Sequence, residues 1–530
     1  MLIKGVSKLF SHQHISTSAY QHISTSAHHH IFHRNKLFLQ RMLFNSLQFM
    51  IFLPVVFILH WLIPYKWRGG MLLVASYYFY MSWNPWFGIL LAGTTLIDWY
   101  VGLKIQNSRS KLQDPKIQNS KFKIQNLPKK WLLVSIITNL GCLAGFKYSA
   151  FLYNTFSFTG SLLSGNSPHY MEALIIPIGL SFYTFHSMGY VIDVYRGKIS
   201  AEKNLGTFAL FVSFFPQLVA GPIARFNELG VQFHKRTFLT KENIIAGTKI
   251  ALWGFFKKIA IADRLSDFVI PFFNHPGNYD GLTLFIAGFF FVVQVYCDFS
   301  GYTDIATGVA KFFGYELQLN YLRPLLSRSL HDFWKRNHIS MTRWFRDYLY
   351  ISLGGNRSSF KRFMLNIFLT FLISGLWHGA KWTFVVWGAT HGIVYIIEII
   401  CKRKFPSFSQ HTYKTFGWIY FMLFHTLTLL AFRANSFEDL QIIYTKIFSF
   451  HWNISTMLLD LKSIQDSFPL FLALFGIAFL YLKELNEEHT WLNKIPSFDK
   501  WMRPAFYVFI FVLLFVIGNF NSNEFVYFHF

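Results

Sequence analysis

Along most of this chain apolar residues neither alternate nor recur in narrow stripes; they come in long runs. The clearest are Asn45–Ile63, Trp131–Phe151, Leu282–Tyr296, Phe363–Trp377, Thr383–Ile400, Trp418–Phe432, Phe468–Tyr481 and Phe506–Ile517. A run of about 18 apolar residues predicts a helix that crosses a bilayer. Several of these runs are shorter, which predicts tilted or re-entrant pieces. The pattern therefore predicts an all-α polytopic integral membrane protein of about 10–13 membrane helices or re-entrant segments, with amphipathic interfacial helices between them.

Two apolar stretches are interrupted. Ile176-Pro177-Ile178-Gly179 opens one, and Phe214-Phe215-Pro216 to Ala220-Gly221-Pro222 forms the other. Broken backbone at membrane depth is tolerated only where it is buried in protein or lines a cavity, so the pair predicts a cavity in the middle of the molecule. Trp253–Ala262 mixes aromatics with Lys257 and Lys258 and predicts an interfacial helix.

Composition sharpens this picture. Of the 530 residues, 53% are hydrophobic and only 14% charged, against about 25% charged in soluble domains. No soluble domain of ordinary size is left over. The net charge of +24 would suggest nucleic acid in a soluble protein. Here the basic residues sit between apolar runs, as in the cytoplasmic loops of polytopic membrane proteins. No nucleic-acid motif is present, so membrane lipids, not nucleic acid, are the expected contacts. Cys142, Cys297 and Cys401 are scattered in or beside apolar segments and read as packing residues, with neither metal spacing nor a disulfide framework.

Two segments fall outside the main pattern. Residues 1–41 carry QHISTSA twice and then His28-His29-His30. A histidine tract can bind metal; the expectation here is instead translated repetitive sequence upstream of a natural start at Met42. Residues 104–130 repeat KIQNS and hold eight Lys/Arg against Asp114, which predicts a disordered cytoplasmic insertion. The remainder, 42–530, reads as a single membrane domain.

The candidate chemistry lies between His331 and His391. Arg323–Arg362 holds nine Lys/Arg and two acids. Trp334, His338, Met341, Phe345 and Tyr348 recur at helical spacing, with Arg336, Arg343 and Arg346 on the other side. This predicts an amphipathic helix lying in the interface or roofing a cavity. Its basic face suits anionic lipid heads and equally the phosphates of an acyl donor. The next run ends at His378, with Ser374 four residues earlier on the same face. An imidazole at the end of a lipid-length run is costly unless it meets a polar cavity, and imidazole suits proton removal near neutral pH. His391 falls on another helical face and reads as structural. Asp298 and Asp304 sit at the end of an apolar run, six residues apart, and read as orienting or capping groups, not a paired acid and base. No metal site is expected.

Several motifs in order then resemble one family. Ser181–Gly197 (SFYTFHSMGYVIDVYRG), Val212–Pro222 (VSFFPQLVAGP), Tyr296–Thr303 (YCDFSGYT), Phe333–Gly355 (FWKRNHISMTRWFRDYLYISLGG), Ser374–Ala380 (SGLWHGA) and the C-terminal Glu524–Phe530 are similar to the membrane-bound O-acyltransferase superfamily, in its branch of alginate O-acetylation and teichoic acid D-alanyl transfer proteins. The resemblance implies a ring of membrane helices around a central channel. It implies His378 as the catalytic residue and His338 as its partner. Asn337 departs from the aromatic usual before that histidine. Arg336, Arg343, Arg346, Ser340, Ser374 and Trp377 are candidate contacts for donor or acceptor.

The expected activity is transfer of an acetyl group from a cytoplasmic thioester to an exported, alginate-like polysaccharide. Acetyl-CoA is the expected co-substrate, with an acyl-carrier thioester as the runner-up; no bound cofactor is expected, and the expected setting is a bacterial inner membrane. A periplasmic acetyltransferase or esterase-like partner is implied. D-alanyl transfer from a carrier protein is the runner-up. A transporter or a non-catalytic export scaffold is the competing class, although the internal repeat common in transporters is absent.

Overall fold

The computed structural model describes residues 42–112, 127–165, 167–464, 467–490 and 503–519. The expectations for residues 1–41, for the repeats between 113 and 126, and for the C-terminal motif lie outside the described residues. Among the described residues there are helices and no strands. In chain order they are α1 Leu47–Leu62, α2 Tyr65–Met81, α3 Pro85–Leu112, α4 Leu127–Leu143, α5 Ser149–Ser164, α6 Leu180–Arg196, α7 Leu205–Ser213 and α8 Phe215–Leu218. There follow α9 Lys241–Phe255, α10 Asp263–Asn274, α11 Gly281–Phe312, α12 Leu330–Arg336, α13 Ile339–Trp344, α14 Phe360–His378 and α15 Trp382–Lys404. The last are α16 Pro406–Thr415, α17 Gly417–Arg433, α18 Phe437–Phe448, α19 Ile454–Ile464, α20 Ser467–His489 and α21 Arg503–Ile517. Three π-helical turns interrupt this order, at Ala144–Tyr148, Phe256–Ala262 and Phe345–Tyr350.

Among the described residues, five stretches are long and apolar enough to cross a bilayer: Pro85–Lys111, Leu127–Ser161, Gly281–Phe312, Phe360–His378 and Trp382–Lys404. Residues 104–112 continue α3 as helix. The loop expected to begin at 104 is therefore corrected: Arg109 anchors the end of α3 by donating to the carbonyl oxygens of Val194 (2.8 Å) and Tyr195 (3.1 Å). The two predicted interruptions are present. Backbone without regular structure precedes α6 at Gly179, and α7 stops at Phe214 before the short α8, with residues 212–224 all buried.

The long helix α11 is the central pillar. One aromatic core lies on each side of it. The first gathers α1–α3 and α6–α8, and the second gathers α10, α12–α15, α17 and α20. Its two carboxylates meet lysines, not a helix break. Asp298 bonds Lys258 at 2.7 Å and Asp304 bonds Lys257 at 2.7 Å, while Lys258 also reaches Asp263 at 2.8 Å. The expected interfacial helix at Trp253–Ala262 is thus corrected. Lys257 and Lys258 are 3% and 1% exposed and stitch the pillar to its neighbours, which the π turn allows by redirecting consecutive side chains. A charge at this depth persists only when paired.

α14 and α15 form an antiparallel hairpin across the three residues 379–381. They touch backbone to backbone. A Cβ on Gly375 would lie 2.4 Å from the Phe384 carbonyl oxygen, and one on Gly388 would lie 2.6 Å from that of Phe371. Small residues at such crossings are the usual device of close membrane packing. The hairpin brings Lys361 and Arg362 at one end beside Lys402, Arg403 and Lys404 at the other, with Arg403 over the Phe360 ring at 4.6 Å. That end of the hairpin is therefore strongly basic.

Removing one partner of a buried ion pair costs about 3–5 kcal/mol. Lys258→Met, which removes the ammonium shared by Asp263 and Asp298, is expected to lower the thermal midpoint of the detergent-solubilised protein markedly. A midpoint equal to that of the parent would show that the cluster is not a structural keystone.

Candidate active site

The predicted amphipathic helix from Trp334 to Tyr348 is broken at its centre, which corrects the reading of one continuous helix. α12 stops at Arg336, Asn337 is extended, and His338 takes a left-handed backbone (φ 46°, ψ 50°) before α13 begins. Histidine is one of the few non-glycine residues enriched in that region. A neighbouring segment supplies the bonds the helix gives up. Ile339 N–H donates to the Asn320 carbonyl (2.9 Å) and Leu322 N–H to that of Arg336 (2.8 Å). The Asn320 side chain accepts from the Ser340 N–H (3.0 Å) and hydroxyl (2.8 Å). α12 is held from the other side by Glu398 of α15, which accepts from the N–H groups of Leu330 (2.8 Å) and His331 (3.1 Å). A carboxylate there satisfies orphan donors and favours the positive helix end.

The break turns His338 inward. Its ring lies among those of Phe182, Phe299, Tyr321 and Trp377, at centroid distances of 6.0–6.4 Å. His378, at the last turn of α14, packs against Trp377 (4.9 Å), Trp387 (5.3 Å) and Phe432 (5.4 Å). Both histidines line one narrow cavity of about 60 Å³, beside Phe299, Trp387 and Phe432. Asn337 lines it as well.

A much larger cavity of about 1090 Å³ opens behind it, and Trp334 and Met341 line both. Phe363, Ile367, Thr370, Phe371 and Ser374 put one face of α14 along this space. From Phe363 to Ser374 is about 17 Å at 1.5 Å per residue, and His378 lies about 6 Å further. The rim carries His331, Lys335, Arg346, Lys402 and Arg403. The arrangement is a channel with a basic mouth and an apolar throat, ending one helical turn from His378.

The other candidates divide. Ser374 lines the channel, and Arg346 stands at its rim beside Asp347 at 2.7 Å. Burial opposes ionisation of Asp347, but its bonds from Arg346 and Arg225 outweigh that and hold the carboxyl below the usual range. Arg343 is instead engaged with Glu228 and Gln318, each at 2.8 Å. Arg336 is held by Asp332 (2.9 Å) and Glu488 (3.0 Å), and lines a separate cavity of about 780 Å³. Ser340 is used up between Asn320 and the Ile223 N–H, which donates to its oxygen at 2.9 Å. Trp377 is packing: it stacks on Phe185 at 5.1 Å. His391 is fully buried behind Trp387 (4.5 Å) and Trp334 (5.7 Å) and does not line the cavity.

Sequence reasoning missed two groups. His425, from the middle of α17, lines the cavity with His338 and His378. Lys147, inside the run 131–151, lies against the end of α14. In each case an ionisable residue inside an apolar run was the available clue.

Residues 199–441 match the model of the membrane-bound O-acyltransferase (MBOAT) family. The chain is 36% identical over 455 residues to a probable alginate O-acetylase AlgI of Azotobacter vinelandii, covering 84% of this chain and 87% of that protein. It is 32% identical over 430 residues to a peptidoglycan O-acetyltransferase of Helicobacter pylori, covering 75% and 78%. It is 26% identical over 256 residues to a teichoic acid D-alanyltransferase of Streptococcus thermophilus, covering 44% and 59%. With its paired histidines enclosed in a bundle of membrane helices, this chain belongs to the membrane-bound O-acyltransferase family and is an O-acyltransferase.

Proposed function

We propose that the protein transfers an acetyl group from acetyl-CoA to a hydroxyl of an exported polysaccharide, at or across a bacterial inner membrane. The observation that carries this reading is the pairing of a small chamber holding His338 and His378 with a long channel that opens at the basic end of the hairpin. Basic loops mark the cytoplasmic side of polytopic proteins, so the channel mouth faces the cytoplasm. A phosphorylated pantetheine thioester suits it: phosphates at Lys335, Arg346, Lys402 and Arg403, the thin arm along α14, and the acyl group past Trp334 and Met341. The 60 Å³ chamber suits a two-carbon acyl group. The alginate and peptidoglycan acetylation named for the relatives supports acetyl and a cell-envelope sugar.

In this reading His378 is the general base. It removes the proton from the attacking hydroxyl as that oxygen bonds to the thioester carbonyl carbon. The carbon–sulfur bond then breaks, the sulfur leaves as thiolate and takes up the proton, and the products are an ester and a free thiol. His338, facing the same chamber, orients the carbonyl. A periplasmic acetyltransferase or esterase-like partner accepts or relays the group outside. A carrier-protein thioester would present the same arm, and comparing the two donors separates them.

General-base catalysis contributes about 10²–10⁴-fold. His378→Ala is expected to abolish release of free thiol from acetyl-CoA by the purified protein, with alginate oligosaccharides as acceptor, while the protein still inserts. Full activity in that variant would remove His378 from the mechanism.

A second expectation concerns the mouth. Lys402→Gln with Arg403→Gln should raise the KM for acetyl-CoA by about tenfold, the factor of 1.4 kcal/mol, with little change in kcat. A fall in kcat at constant KM would place donor recognition elsewhere.

A further inference from the structure

The end of α14 poses a problem that its own sequence does not solve. A helix leaves its last four carbonyl groups without helical partners. The common remedy is a left-handed residue just past the end, but Gly379 is extended (φ −159°, ψ 149°). The Gly375 carbonyl is met locally, by the Gly379 N–H at 3.4 Å. The carbonyls of Leu376, Trp377 and His378 remain, on a helix end whose last two residues are buried, where an unmet backbone group is costly.

All three are met from one place. The Lys147 ammonium donates to the carbonyl oxygens of Trp377 (2.6 Å) and His378 (2.9 Å). The neighbouring Tyr148 hydroxyl donates to that of Leu376 (2.6 Å). On a regular helix, consecutive side chains diverge by about 100°. Here both belong to the π turn Ala144–Tyr148, and both reach the same helix end. Lys147 is 7% exposed. A buried ammonium is costly in an apolar segment, and a helix C-terminus, with its concentrated carbonyl dipoles, is where a cation is best received.

We propose that Lys147 and Tyr148 are positioning residues for the acyl transfer, forming an external cap that fixes the backbone of residues 376–378 and hence the direction in which His378 enters the chamber. The proposal rests on the reading of His378 as general base. The cap touches neither the channel nor the chamber, so its loss should misdirect the imidazole without weakening donor binding. A displacement of about 1 Å at a reacting group can cost about 10²-fold in rate.

The test uses the full-length protein in nanodiscs, following thiol release from acetyl-CoA with alginate oligosaccharides as acceptor. Lys147→Met is expected to lower kcat about 10- to 100-fold and to leave the KM for acetyl-CoA within about twofold. Lys147→Arg, which keeps a cationic donor, should recover part of the loss. Tyr148→Phe, which removes one bond, should lower kcat about two- to tenfold and serves as the deciding variant if Lys147→Met fails to insert. Parent-like kcat in the inserted Lys147→Met protein, or in Tyr148→Phe when it decides, overturns the proposal, as does a change confined to KM. His378→Ala is measured alongside. Retained activity there defeats the reading of the base itself, whereas an inactive His378→Ala beside a fully active Lys147→Met defeats only the cap.

Discussion

Hydrocarbon offers no hydrogen bonds, so a charge or a broken stretch of backbone carried into this bundle is costly unless a partner within the chain meets it. That constraint organises the molecule. It pairs Lys257 and Lys258 with the carboxylates of the central pillar. It places Glu398 under the first turn of α12, and it brings the Asn320 side chain to the broken backbone around His338. Each arrangement joins elements far apart in sequence. The polar groups therefore act as the specific fasteners of a structure whose apolar surfaces are otherwise interchangeable with lipid.

The same constraint explains what the candidate site is made of. Its histidines are set among rings from several separate elements, and stiff aromatic side chains hold a small space open at little entropic cost. The break at His338 is the decisive irregularity. A continuous amphipathic helix would carry its residues along a single stripe. The left-handed turn redirects one imidazole toward another that arrives from α14. Strained backbone of this kind persists where the surroundings over-determine it, and the bonds from Asn320 do so here.

Much of this was legible in the sequence, and the reason differs from part to part. Apolar runs give helices because hydrocarbon permits little else, so α14, α15 and the first half of α11 could be read off directly, whereas α11 runs on to Phe312, past Asp298 and Asp304, which the sequence placed at the end of an apolar run. The interruptions at Gly179 and Phe214 were legible from proline and glycine. The pairings were not. Nothing local distinguishes Lys258, which closes an ion cluster, from a lysine at a membrane edge. Arg336 and Arg343 share a face with Arg346 by periodicity, yet Glu488 and Glu228 claim the first two. The break at His338 escaped for the same reason: its cause is Asn320, an element away, while the spacing of Trp334, Met341 and Tyr348 argues for unbroken helix. His425 was hidden within a run that hydropathy alone explains.

The continuity of α14 has a consequence of its own. One uninterrupted helix carries the channel wall from Phe363 to Ser374 and then His378, so it fixes both how deep a guest must reach and which way the imidazole points. Depth advances by about 1.5 Å and direction by about 100° with every residue. Length and phase are thus locked to one another. The helix behaves as a graduated screw: evolution can lengthen the path by whole turns and keep the imidazole on target, but a single inserted residue would aim it into the wall.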